Sequence, residues 1–330
     1  MKLWQRDQDV LQDFSARLGQ TALIEVPRQG AGARIVAKAE WQNPTGSIKD
    51  RAAYAMLLGL LSRLDERSRR ELRLVEYSGG NLGVSLAALC ADLEIPLTLV
   101  LGAWSEPGLV ASLQAKGATV ELWREGGFWG VMQRAVALAA DDPTLTLFYQ
   151  HRNENNVSAH KVGTGAEIVS QLEGCSPRAF VASVGTGGTL MGVHAALTET
   201  YGRGVDLHAV TPAELPYGSM EPPNAAKKYA GSGGLGCGRK QLFVARDEHQ
   251  LTSEWTVSWD EAMAEVGRFY VETGLAIGSS SAANLIIARQ VAERLGPSEI
   301  VVTVFPSGPT EGEFAEAIAP LIAKQERKCL

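Results

Sequence analysis

One lysine in this sequence stands where the local electrostatics disfavour it. The stretch Asn43-Pro44-Thr45-Gly46 is turn chemistry. It delivers Ser47 to the start of an apolar helix expected over 52–61, with Lys49 in the first turn. A helix N-terminus favours anions. A partly buried lysine there is expected to hold its proton less firmly and to serve as a nucleophile or base. Taken alone, Lys49 would read as a surface lysine paired with Asp50. A second segment changes that weighting. Gly185-Thr186-Gly187-Gly188-Thr189 follows Val181-Ala182-Ser183-Val184 and opens a helix. Glycines let backbone amides converge on an anion, the helix N-terminus adds positive potential, and threonine hydroxyls add donors. The plainer alternative is a tight turn packing a helix on a strand.

A dinucleotide fingerprint fits this loop poorly. The third glycine position holds Leu190, and Asp206 precedes its strand instead of following it. No GxxxxGK sequence occurs, so a nucleotide P-loop is excluded. A nucleophilic lysine together with a phosphate cradle that is not a nucleotide loop is what an aldehyde cofactor bearing a phosphate requires. Pyridoxal phosphate is such a cofactor.

Elements of a definite kind must position these loops. Strand candidates at 72–77, 95–101, 119–123, 144–149, 179–184, 207–211 and 299–305 alternate with helical patterns at 82–93, 108–116, 129–140, 190–201 and from 311. That alternation predicts βαβ units and parallel sheets, an α/β fold. Ligands in such folds sit beyond the carboxyl ends of strands. Three glycine-rich loops have that strand–loop–helix position: 78–83 (SGGNLG), 185–189 and 307–312 (SGPTEG). The stretch 212–239 is rich in proline and glycine and reads as a functional loop.

Together these segments resemble the cysteine synthase and cystathionine β-synthase family of fold-type II, tryptophan synthase β-like pyridoxal-phosphate enzymes. NPTGSIKDR at 43–51 is similar to the family's cofactor-lysine motif. LGQTALIEV from Leu18 resembles its opening segment, with Ala22 where proline is usual. EYSGGNLG from Glu76 resembles the asparagine loop, and QHRNENN from Gln150 the glutamine-containing strand end. SVGTGGTLMGV from Ser183, TGLAIGSSSAAN from Thr273 and FPSG from Phe305 resemble the remaining cofactor-wall segments. The resemblance implies that Lys49 forms the Schiff base and that Gly185, Thr186, Gly187, Gly188 and Thr189 bind the phosphate. It places Asn81 on the cofactor's phenolic oxygen and Ser307 against the pyridine nitrogen. A serine hydroxyl cannot enforce protonation of that nitrogen as a carboxylate would, so β-elimination is favoured over transamination.

The implied activity is β-replacement on an activated L-serine derivative, through an aminoacrylate to which sulfide or another small nucleophile adds. The substrate would meet Ser78, Gly79, Gly80, Asn81, Leu82 and Gln150. The family usually has hydroxyls where Gly79 and Leu82 stand here. That departure keeps diaminopropionate synthesis, cysteine desulfuration and serine or threonine deamination open on the same scaffold. The resemblance further implies two domains, each a twisted, mostly parallel sheet flanked by helices. The larger, cofactor-binding domain takes 1–52 and 157–330, and the smaller takes 53–156. A homodimer is also implied, as is a cleft that closes on substrate.

Composition narrows the remaining classes. Across 330 residues, 45% are hydrophobic and 21% charged, the balance of a globular chain of about two domains. With 31 basic against 37 acidic residues, the net charge is −6, which makes nucleic acid a poor partner. Cys90, Cys175, Cys237 and Cys329 form no CxxC pair, so neither a disulfide framework nor a zinc site is expected; Cys90 reads as core. The histidines show no metal-ligand spacing, although His151, beside Gln150, could touch substrate. Lys227, Lys228, Arg239 and Lys240 lie in or beside the long loop and read as a solvated run that could also attract an anion. No signal peptide or membrane span is evident, and a cytoplasmic enzyme is expected. A non-catalytic binding protein would have no need of Lys49, Asn81 and Ser307 together.

Overall fold

The computed structural model describes residues 4–78, 80–229 and 234–323. Gly79 and Cys329, both singled out above, lie outside the described residues. In chain order the strands are β1 (Leu23–Glu25), β2 (Arg34–Ala39), β3 (Arg73–Tyr77), β4 (Leu97–Gly102), β5 (Thr119–Trp123), β6 (Leu145–Leu147), β7 (Ala179–Ser183), β8 (Asp206–Pro212), β9 (Ser253–Val257) and β10 (Ile300–Phe305). They form a six-stranded sheet in the order β1-β2-β10-β7-β8-β9 and a four-stranded sheet in the order β5-β4-β3-β6. Every pairing is parallel except β1 on β2. The fold is therefore α/β, with two helix-flanked sheets.

Continuous apolar runs explain the parallel pairing. β10 is buried at every position, as expected of strands covered on both faces. Successive residues feed opposite cores. Val301 and Phe305 join Val181 and Ala37 on one face, while Val302 and Val304 join Phe180, Ala182 and Val36 on the other. The smaller sheet repeats this arrangement, with Leu74, Leu97 and Leu99 on one side and Val75, Tyr77 and Val100 on the other.

Three strands and several helices escape the periodicity reading. β2 carries Arg34 and Lys38, which break its apolar run; Lys38 is nonetheless fully buried, in an ion pair with Glu167. Helix 279–292 has serines at its start and is buried nearly all round, so it shows no polar face. Helix 5–17, which the sequence reading attached to the larger unit, lends Leu11 and Phe14 to the core beneath the four-stranded sheet. A buried ion pair between Asp7 and Arg69, at 2.7 Å, holds it there.

The described residues of the long loop after β8 reach both sheets, with Tyr229 in a core of the six-stranded sheet. Leu235 enters the core around Tyr77. Arg239 stacks 4.3 Å above the Trp129 ring of helix 127–141. Lys227 pairs with Glu316 and lies over Trp259, and Lys240 pairs with Glu248. These cations are engaged locally.

Candidate active site

Five parallel strands send the candidate residues out from their carboxyl ends. β2 leads to residues 43–51, β3 to 78–81, β6 to 150–151, β7 to 185–189 and β10 to 306–308. The register of β10 on β2 ends with Phe305 opposite Ala39. The two following loops therefore emerge side by side. Ser307 forms a bridge with Ser47, and the Ile48 amide donates to the Pro306 carbonyl at 2.8 Å. Ser307 thus stands two residues from the lysine across the loop pair. Its carbonyl accepts from the Gly278 amide and from the Ser281 hydroxyl, at 3.1 and 3.0 Å.

Lys49 is the first residue of helix 49–61 and is half-buried. Burial of its amine pushes its pKa down to about 8. The direction is the one expected, and desolvation is its cause. Below it, Asp50 is fully buried and accepts from the Thr45 amide at 2.7 Å and from the Thr45 hydroxyl. The Thr45 hydroxyl also lies 3.2 Å from Ser85 Oγ. Ser85 in turn donates to the Asn81 carbonyl at 3.0 Å. The lysine loop is therefore tied to helix 81–92, whose first residue is Asn81. The Asn81 side chain makes no hydrogen bond among the described residues and is half-buried, an unengaged amide at the mouth of the site.

The glycine loop is built as a cradle. Gly187 takes a left-handed conformation at φ +87° and starts helix 188–201, a backbone state that favours glycine. The first helical bond runs from the Met191 amide to the Gly187 carbonyl, so the Thr189 and Leu190 amides have no intrahelical acceptor. Thr186 is held by Asn156, whose Nδ2 donates to Thr186 Oγ1 at 2.9 Å and to the Gln150 carbonyl at 3.0 Å. A Cβ on Gly188 would come within 2.3 Å of Asn156 Oδ1, so that position excludes a side chain. His160 Nε2 lies 3.3 Å from the Thr189 hydroxyl, and His160 feels the charge of Lys49. The lysine and the cradle share one neighbourhood.

Asn156 and His160 were not predicted from sequence. Their signal was a polar set at i, i+4 and i+8 — Asn156, His160, Thr164 — on one helical face. At His160 the α-helix gives way to a π-helical turn over 160–165, a feature frequent at functional sites.

The predicted substrate residues divide. Gly80 borders open space, and a Cβ there would meet nothing within 4 Å. Ser78 Oγ accepts from the Gly83 amide at 3.1 Å. Gln150 Nε2 donates to the Tyr77 carbonyl at 2.9 Å, and its amide donates to Glu76 Oε2 at 3.1 Å. Glu76 is fully buried, which pushes its carboxyl up to about 8. The Leu82 side chain turns away from the site into the core beneath the four-stranded sheet; only its backbone faces the loop. Cys90 lies in that core too, while Cys237 is exposed.

This donor set suits a phosphorylated pyridine aldehyde. Lys49 offers an amine for the aldehyde, the glycine loop offers amides and hydroxyls for the phosphate, and Asn81 and Ser307 offer neutral polar groups for the ring.

Comparison with known proteins points the same way. Residues 14–307 match the family described as pyridoxal-phosphate dependent enzyme. The chain is 31% identical to cysteine synthase 1 of Emericella nidulans, over 91% of this chain and 83% of that protein. It is 32% identical to a probable cysteine synthase of Bacillus subtilis, over 86% and 90%. Among solved structures, it superposes with a TM-score of 0.80 on a hydrogen sulfide-producing enzyme of Fusobacterium nucleatum in complex with an α-aminoacrylate intermediate. That structure is 28% identical, with coverage of 91% of this chain and 90% of the other.

Proposed function

Because the chain belongs to the pyridoxal-phosphate dependent enzyme family, we propose that it performs β-replacement on an activated L-serine derivative, bringing in sulfide or a similarly small nucleophile. The observation that carries this reading is the Lys49 amine. It stands at the start of helix 49–61 among loops from five strand ends, in a chain 31–32% identical to cysteine synthases.

When bound, the cofactor would act as the electron sink that acidifies the substrate's α-carbon. Lys49 would hold its aldehyde carbon, the 185–189 loop its phosphate, Asn81 its phenolic oxygen, and Ser307 its ring nitrogen. With the cofactor bound and the substrate's amine in place of its own, Lys49 Nζ would be free to take the α-proton as general base. The β-substituent leaves with its bonding electrons, the nucleophile bonds to the β-carbon, and Lys49 returns the proton to the α-carbon. A pKa about one unit above neutrality leaves roughly one amine in ten unprotonated at pH 7. With the cofactor bound, a neutral Ser307 hydroxyl at the ring nitrogen would leave the ring a weaker sink, which would favour loss of the β-substituent over transamination.

A second reading, β-elimination with pyruvate or sulfide as product, is supported by Leu82. A leucine here gives the asparagine loop no hydroxyl at that position to grip a substrate carboxylate, and its side chain lies in the core. The hydrogen sulfide-producing neighbour has the same fold. The reading also takes in two domains, 1–52 with 157–330 and 53–156, that close on substrate, and a cytoplasmic homodimer; light scattering tests the dimer. Among the described residues, no helix is long and apolar enough to cross a membrane.

The test supplies pyridoxal phosphate to purified protein, then O-acetyl-L-serine with and without sulfide. Uptake of the cofactor with visible absorption, and cysteine as the product, are expected. Lys49→Ala should lose at least a thousandfold in turnover, as for removal of a general base and covalent anchor. Pyruvate released without sulfide, faster than cysteine with it, would favour elimination. A chain that stays colourless with the cofactor supplied would overturn the reading.

A further inference from the structure

Gln150 is followed by His151, which packs against Tyr77 in the floor of the smaller sheet. Both residues are buried. Tyr77 Oη lies 2.8 Å from His151 Nδ1, and the two rings stack at 5.5 Å with 23° between their planes. Phe128 packs against both rings, at 6.0 Å from each. The pair is therefore held from two sides.

The hydrogen bond decides where the imidazole proton sits. The Tyr77 hydroxyl oxygen also accepts from the His151 amide, which leaves His151 Nδ1 as the acceptor for the phenolic proton among the described residues. If Nδ1–H donated to Tyr77, the phenolic proton would be buried without an acceptor, a costly arrangement. If Tyr77 donates to Nδ1, the phenolic proton is satisfied and the imidazole proton lies on Nε2, an atom that is not fully buried and can meet water or a ligand. Burial, with a smaller contribution from the charge of Lys49, keeps His151 neutral, with a pKa down to about 3. That contribution also places the ring within the electrostatic reach of the lysine. Nε2 makes no hydrogen bond among the described residues.

The other side chains expected around an incoming amino acid are held by their own neighbours or turned away. Leu82 lies in the core, Ser78 Oγ is anchored as the acceptor of the Gly83 amide, and Gln150 Nε2 gives one of its two protons to the Tyr77 carbonyl. We propose that His151 donates its Nε2–H to the carboxylate of the amino-acid substrate, and that Tyr77 is the positioning residue that fixes the required tautomer. The inference rests on reading the site as one that binds an amino acid. It assigns to the strand-end histidine a carboxylate contact beside those the asparagine loop can make. The stacked, buried ring has little rotamer freedom to lose on binding, so it acts as a preorganised donor.

The test titrates the cofactor-loaded protein with L-alanine and with L-alaninamide, following the visible absorption change on binding. Circular dichroism and thermal melts check the fold of each variant. Loss of a hydrogen bond to a charged group predicts that His151→Phe weakens L-alanine about tenfold or more, with L-alaninamide held within about threefold. His151→Gln, whose amide reaches the Nε2 position, should recover at least part of that loss. Tyr77→Phe should weaken L-alanine less. In ¹⁵N NMR of the histidine-labelled wild type, Nε2 should be the protonated nitrogen and should shift when L-alanine is added. Equal loss for both ligands in His151→Phe, or L-alanine affinity within about twofold of wild type, would sink the proposal. If the variant does not fold, an Nδ1-protonated ring or a spectrum unmoved by L-alanine does the same. Failure of the unaltered protein to take up pyridoxal phosphate would instead count against the amino-acid reading itself.

Discussion

At the scale of single residues, the chemistry depends on what burial does to proton affinity. Lys49 is pushed down to about 8 because its ammonium is taken from water without a carboxylate partner close enough to appear among its interactions. The neutral amine is the nucleophile, so covalent capture of pyridoxal phosphate by the cofactor-free protein should accelerate as pH rises through about 8 and level off above it. Stopped-flow absorbance from pH 6 to 10 would check this; a midpoint near the ordinary lysine value of about 10.4 would show that the amine is not desolvated in solution. Glu76 is pushed in the opposite sense, up to about 8, by the same burial. The folded chain therefore keeps a proton there that the unfolded chain loses near pH 4.5. Its contribution to stability is complete below that value and is lost as pH rises towards about 8. Glu76→Gln should flatten the denaturant-midpoint profile across that window.

At the scale of elements, the cradle depends on close approach between helix 188–201 and the segment 154–171. A Cβ on Gly192 would come within 2.4 Å of the Val157 carbonyl and 2.8 Å of His160 Cβ. Gly192→Ala should therefore push the two apart and cost about 1–3 kcal/mol of stability by urea denaturation, as overpacking does. Cofactor affinity should fall with it, since His160 and Asn156 brace Thr189 and Thr186. Asn156→Ala isolates the bracing. It removes two hydrogen bonds without adding bulk and should weaken pyridoxal phosphate binding by up to roughly thirtyfold in an equilibrium titration, at about 1 kcal/mol per bond.

At the scale of the whole molecule, a buried ionic network joins elements distant in sequence. Arg51 pairs with Glu40 at 2.7 Å and with Glu167 at 2.6 Å, and Lys38 pairs with Glu167 at 2.8 Å. It connects the lysine-bearing helix 49–61 to the end of β2 and to helix 166–171. Arg51→Met would strand Glu40, which is fully buried, and should cost about 3–5 kcal/mol in chemical denaturation. Glu167 sits near 2, because hydrogen bonds from Arg51 and Lys38 outweigh the burial that raises it. Its pKa is depressed, so the stability it supplies is present above the unfolded value of about 4.3 and lost as pH falls towards 2. Glu167→Gln should weaken the protein at neutral pH and remove that part of its acid sensitivity.

Much of the site was legible because its chemistry is local in sequence. The lysine at a helix start, the glycine loop that opens the next helix, and Asn81 and Ser307 after their strands all depend on backbone conformations that a few neighbouring residues specify. Alternating apolar runs likewise determined an α/β fold with loops at parallel strand ends. Other features required the assembled chain. β2 was hidden by Lys38, a charge made tolerable only by Glu167, and helix 279–292 by burial on every side. The outward or inward turn of Leu82, the hold of Asn156 on Thr186, and the contact of Tyr77 with His151 depend on the register of strands dozens of residues apart. Local propensity carries no information about that register. Packing sets it, because a side chain's direction at a strand end follows from which neighbour the strand is paired with and how far along it lies.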